Sequence, residues 1–172
     1  ALRLLEAQPS SAMDVDELIN YSRALRIRGE VMSMQGKNQQ AVTLFKRAEE
    51  MARRAIETNH APESAIFESA QSYYWLGFQY RKHGDLKGAM TEWKRYLSES
   101  ERLIQANVAN PDWRMENLLA STNLGTLELQ EFGCGAAQDR LKSSLFKMKH
   151  MIDNGNKRLS WQYHWLVTRS WV

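Results

Sequence analysis

Turn formers are scarce: 9 glycines and 3 prolines among 172 residues make about 7% of the chain, against roughly 12% in an average protein. An all-β sandwich or barrel, which needs a turn roughly every 8–12 residues, is poorly served by so few. The single cysteine, Cys134, has no partner for an intramolecular disulfide, so the chain is not a cross-linked secreted miniprotein. No apolar run approaches the roughly 18 residues that mark a membrane-spanning helix. The start of the chain also lacks the basic segment and following apolar stretch of a signal peptide. Charge of one sign is missing too: 23 Lys and Arg stand against 20 Asp and Glu, a formal net charge of +3. That excess is too small to imply a nucleic-acid or anionic-lipid ligand. What is present is enough to fold, since 43% hydrophobic and 25% charged residues can build a core around one compact domain or short repeat array. The chain begins with Ala and ends in mid-pattern, so a larger parent protein is expected.

Three glycines carry the organisation. Gly29, Gly77 and Gly125 are spaced by 48 residues, and the same step links Ala41, Ala89 and Ala137, and Phe45, Trp93 and Leu141. Leu76 matches Leu124, Gly36 matches Gly84, and Trp113 returns as Trp161. Several columns agreeing on one period identify an internal repeat. Within each copy the apolar spacing is helical. Ala41, Leu44, Phe45, Ala48, Met51, Ala52, Ala55 and Ile56 fall on one stripe, as do their counterparts from Ala89 to Ile104 and from Ala137 to Ile152. A second helical segment precedes each stripe, at about 16–35, 64–83 and 113–132, and a break containing glycine separates the two, fitting a left-handed helix end. The unit is helix, tight turn, helix, loop. Copies run over about 16–62, 63–111 and 112–158, and residues 159–172 begin a fourth, all in a single array. The glycine and alanine columns belong where two antiparallel helices cross, because a bulky side chain there would hold the axes beyond roughly 8–10 Å.

On these columns the sequence resembles the tetratricopeptide repeat (TPR) family. Tyr73, Leu76, Gly77, Tyr80, Gly84, Ala89, Trp93 and Tyr96 stand at the spacing of the family's Trp, Leu, Gly, Tyr, Gly, Ala, Phe and Ala columns. The first copy answers with Leu25, Gly29, Met32, Gly36, Ala41, Phe45 and Ala48, and the third with Leu124, Gly125, Ala137 and Leu141. The period of 48 departs from the family's 34, and Arg53, Glu101 and Lys149 occupy the closing proline column. Asn-Pro-Asp-Trp at 110–113, with Asn-Leu-Gly at 123–125, resembles the long-repeat variety of bacterial multidomain signalling proteins. The resemblance implies an all-α, right-handed solenoid of three antiparallel helix pairs plus a C-terminal extra helix. It also implies a non-catalytic interaction module.

Catalytic or cofactor chemistry has no visible seat. His60, His83, His150 and His164 show no zinc spacing, no glycine-rich phosphate loop is present, and carboxylate pairs such as Glu49 and Glu50 fit a solvated helix face. Cys134 stands in the column of Leu86, as a small apolar residue. The chain is therefore expected to be no enzyme and to hold no cofactor or metal. The basic residues Arg53, Arg54, Lys142, Lys147 and Lys149 are spread along second helices among acidic ones, which argues against DNA or RNA binding.

Repeat geometry supplies the functional expectation, because the first helices of such an array line an extended groove. Its walls are expected to carry Arg23, Arg26, Glu30 and Ser33, then Gln71, Tyr74, Phe78, Arg81 and Lys82, then Leu119, Thr122, Thr126 and Leu129. A peptide or partner protein whose carboxylates meet Arg and whose apolar groups meet aromatic rings would suit that wall, with Arg23, Arg26, Tyr74, Phe78, Arg81 and Lys82 as the binding set. The alternative is a self-association or sensor segment of a bacterial kinase, transcription regulator or NTPase. In that case the chain would form a homodimer through Trp161, Trp165 and Trp171 of the last helix. A cytoplasmic setting is the default expectation. The alternative setting is the periplasmic part of a membrane-anchored protein.

Overall fold

The computed structural model describes residues 13–58, 62–133, 135–154 and 158–170. His60, Cys134 and Trp171 lie outside them. The chain is all-helical, with no strand among the described residues: α1 (Val15–Met34), α2 (Asn38–Ile56), α3 (Glu63–Lys82), α4 (Leu86–Ala106), α5 (Pro111–Phe132), α6 (Gly135–Asp153) and α7 (Leu159–Arg169). It divides into two compact units, Ala1–Glu99 and Ser100–Val172, and the division falls inside α4.

Local chemistry sets the helix ends. The Asp14 carboxylate accepts from the Glu17 backbone N–H at 2.8 Å while Glu17 accepts from the Asp14 N–H at 3.0 Å, a reciprocal cap that starts α1. Helix α5 begins with Pro111 in its first turn behind Asn110, whose side chain accepts from the Asp112 N–H at 3.0 Å. The turns after α1 and α3 are the same structure one period apart. Gly36 has φ 75° and Gly84 φ 77°. The Lys37 N–H reaches the Met32 carbonyl as the Asp85 N–H reaches that of Tyr80, both at 2.9 Å. This left-handed close needs glycine because a Cβ would meet the following carbonyl. In the third copy the turn moves one residue on: α5 runs through Phe132, and Gly133, φ 54°, ends it with a bond to the Leu129 carbonyl.

In the first unit α1 packs on α2, α2 on α3, and α3 lies beside α1; in the second, α5 packs on α6, α6 on α7, and α7 lies beside α5. Contacts run antiparallel within a pair. Ser22 donates to the Ala48 carbonyl at 2.7 Å, and a Cβ built on Gly29, later in α1, would stand 2.6 Å from Phe45, earlier in α2. The large residues of the repeat are therefore the partners of the glycines. Phe45 is fully buried over Gly29, Trp93 is nearly so over Gly77, and Leu141 lies over Gly125. Leu18, Ile19, Leu25, Ala48, Met51 and Ala55 fill one core cluster of the first unit; Met115, Leu118, Met148 and Trp161 fill one of the second. Helix pairs meeting at matched positions are compatible with a repeat.

The three crossings differ in room. An added Cβ at Gly77 would overlap the Trp93 ring, whereas at Gly125 it would meet the flexible Arg140 and Leu141 side chains at 3.2 Å. Alanine gains up to about 1 kcal/mol over glycine in a helix interior, and overpacking costs about 1–3 kcal/mol. Gly77→Ala should therefore lower the urea midpoint, while Gly125→Ala should leave it near or above that of the parent chain.

Candidate functional site

The six residues of the expected binding set fall on α1 and α3 of the first unit; the expected third stretch of wall lies on α5 of the second unit, where Thr122 and Thr126 are buried. Helices α1 and α3 lie side by side and run the same way, since Arg26 reaches Glu68 and Ser33 meets Gln79 farther along both. Their junction is an ion cluster. The Glu68 carboxylate, fully buried, accepts from Arg23 Nε at 2.7 Å and from Arg26 Nε at 2.8 Å, and Arg26 Nη1 also donates to Glu30 at 2.6 Å. Burial pushes the Arg26 guanidinium down, but the hydrogen bond and charge of Glu68, with Glu30 behind them, outweigh it and hold it above the usual arginine value. Only 13% of the Arg26 side chain is exposed, against 45% for Arg23. Arg26 is thus committed to the scaffold, and Arg23 keeps a surface to offer.

The other four expected residues are distributed around an aromatic group. Tyr74 meets Trp75 edge-on at 5.2 Å and Tyr96 at 5.7 Å, and Trp75 in turn stacks on Phe45 at 5.7 Å and meets Phe78 at 5.6 Å. Phe78 is the member that reaches solvent, at 38% exposure. The Arg81 guanidinium lies 5.8 Å from the centre of the Trp93 ring, and Lys82 donates to the Asn38 side chain at 3.2 Å. Below the surface the Tyr73 hydroxyl donates to Glu49 at 2.8 Å; burial first, and Glu49 second, push that phenol well above the usual tyrosine range.

Helical spacing points to a charged wall; the structure adds an apolar row beside it. Ile27, Val31 and Met34 are exposed by 50%, 43% and 83%. They sit on the side of α1 opposite its buried stripe of Leu18, Ser22, Leu25 and Gly29. Their spacing of four and three residues is a signal that the sequence carries. Glu68 gives no such signal: a buried carboxylate on a helix has the same local spacing as a solvated one, and only its neighbours on α1 distinguish it.

The last helix needs a correction. Trp161 is 4% exposed within a core cluster and Trp165 packs against that cluster, so neither stands free at the end of the chain; Trp171 is outside the described residues. Arg158 pairs with Asp112 between the start of α7 and α5, and its guanidinium lies 5.1 Å from the centre of the Trp161 ring. The outward side of α7 instead carries Leu159, Tyr163, Leu166 and Val167, each at least 41% exposed.

Among the described residues no group of three His, Cys, Asp or Glu side chains could hold a metal ion. No helix there is long and apolar enough to cross a membrane. No protein-family model matches the chain, and neither a curated protein nor a solved structure matches it.

The ion cluster makes a measurable claim about how α1 and α3 are held. Removing one partner of a buried pair costs about 3–5 kcal/mol, whereas replacing both by apolar residues of similar size is often neutral. Glu68→Ala should lose stability on that scale, and Arg26→Met with Glu68→Met should recover most of it, as read from urea unfolding midpoints.

Proposed function

We propose that this chain is a non-catalytic protein-interaction scaffold, a TPR-like right-handed solenoid, that receives a peptide or partner protein on the outward surface of α1 and α3. The observation that carries this reading is the exposed row of Ile27, Val31 and Met34, in the same unit as the solvent-reaching Phe78 and Arg23. Apolar side chains in a helical row left in water favour burial against another surface, since each fully covered one contributes about 1.5–3 kcal/mol. Of the six residues of the expected groove, Phe78, Arg23 and Lys82 make direct contact in this reading. Arg26, Tyr74 and Arg81 hold the wall that presents them. The resemblance to bacterial signalling chains supplies the setting: a cytoplasmic part of such a protein, or the periplasmic part of a membrane-anchored one.

A second reading is favoured by the outward row on α7. Leu159, Tyr163, Leu166 and Val167 follow helical spacing on one side of a helix whose other side is already buried. Pairing of two copies through that row would make the chain a self-association segment.

The test is a pull-down from lysate of the source organism, comparing the parent chain with Ile27→Asp, Met34→Asp and Phe78→Asp combined, bound proteins being identified by mass spectrometry. All three positions are exposed, so helicity by circular dichroism should be unchanged. A partner retained by the parent and depleted at least tenfold from the variant is expected; an identical set from both would contradict groove binding. Sedimentation velocity decides the second reading. A dimer dissolved by Tyr163→Glu with Leu166→Glu would support it, and a monomer at every concentration would exclude it.

A further inference from the structure

The second unit contains a cleft of about 400 Å³ that the α1 and α3 surface leaves unexplained. Its walls come from the last turns of α4, the first turns of α5 and the latter half of α6. The interior is apolar: Ile104, Leu118 and Met151 line it, and Phe146 stands at its edge with 73% of its surface in water. Asn117, on the α5 wall, donates to the Ser100 hydroxyl at 2.9 Å, which fixes that wall against α4 within the unit. The ionisable groups at the cleft are of one kind. Arg114, Lys147 and His150 line it, and no acidic side chain does.

The state of those three groups gives the cleft its chemistry. Arg114 spends one N–H on the Ala109 carbonyl at 3.2 Å and has further donors. The His150 ring is within 3.1 Å of the Asn154 side-chain amide. Among the described residues no carboxylate pairs with Arg114 or Lys147. The nearby Lys149 differs: it is held by Asp153 at 2.5 Å. An apolar hollow of this size lies in the range of small-molecule sites, which combine apolar walls with a few convergent polar groups. The Arg114 and Lys147 cations, with no carboxylate partner among the described residues, are complementary to an anion, and the planar fork of an arginine suits a carboxylate.

We propose that this cleft binds an amphipathic carboxylate with a single hydrocarbon chain. The chain lies against Ile104, Leu118, Met151 and the exposed ring of Phe146, and the carboxylate sits between Arg114 and Lys147, with His150 beside them. This site is in the second unit and stands independently of the scaffold reading, which concerns the first.

Isothermal titration with decanoate, below its micelle concentration, tests the proposal, with decanol and decyltrimethylammonium as controls of equal chain length. One decanoate per chain is expected, bound at least tenfold more tightly than either control. Arg114→Gln with Lys147→Gln should weaken decanoate at least tenfold, on the scale of a lost charge-assisted hydrogen bond, and leave decanol unchanged. Phe146→Ala should weaken both. All of these positions are at the surface or the cleft edge, and helicity of each variant is verified by circular dichroism. The proposal is overturned if decanoate shows no saturable heat, if decyltrimethylammonium binds as tightly, or if the charge-neutral variant keeps full decanoate affinity.

Discussion

Each helix pair closes where a glycine of its first helix lies under a large side chain of its second. At Gly29 and Gly77 the missing Cβ is the space that the Phe45 and Trp93 rings occupy. Close approach there brings the flanking alanines of the second helices into the core, where Ala41, Ala48 and Ala55 of α2 are fully buried. Small residues on one helix and large flat ones on the other let two surfaces interlock at short axial distance. The direction of every neighbouring side chain follows from that crossing, including which residues of α1 must face outward.

Between successive first helices the structure uses charge. Arg23 and Arg26 on α1 meet Glu68 on α3, and Arg158 before α7 meets Asp112 on α5. Such pairs contribute little net stability when solvated, but a fully buried Glu68 tolerates only an arrangement that supplies both guanidinium groups. The cluster therefore acts on register: sliding α3 along α1 by one turn would strand the carboxylate. A fixed register keeps Ile27, Val31 and Met34 on an outward row, and the aromatic group ending in Phe78 is anchored through Phe45 to the same crossing.

Much of this is legible from spacing. The glycine columns, the large residues opposite them and the left-handed turns at Gly36 and Gly84 follow from a 48-residue period and from the steric needs of a crossing and a helix end. The first helices begin and end within two residues of the expected bounds. The third turn is legible from the break at 132–135 rather than from the strict period, since its left-handed residue is Gly133, one position past the column of Gly36 and Gly84. At the candidate site the sequence locates the residues but not their occupation. Spacing presents Arg26 as a ligand group, because an arginine on a helix face gives no sign of a carboxylate on the next first helix. It leaves open whether Trp161 caps the third pair or stands free, because whether a tryptophan is covered depends on α6 and the cluster of Met115, Leu118 and Met148, which local spacing does not reveal. The basic residues of α6 have the spacing of a solvated face, and their position at an apolar cleft emerges only once α4, α5 and α6 are assembled.

The fold depends on each crossing being packed by the glycine and its partner acting together. The most direct test is a double-mutant cycle at the second crossing, combining Gly77→Ala with Trp93→Leu, which gives it the leucine found at the third. The alanine should cost much less beside that introduced leucine than beside the native Trp93, a coupling of about 1 kcal/mol or more in urea unfolding, within the range for residues in contact. Strict additivity would contradict interlocking at the crossing: the glycine would then be spared a side chain for some reason other than the ring that lies over it.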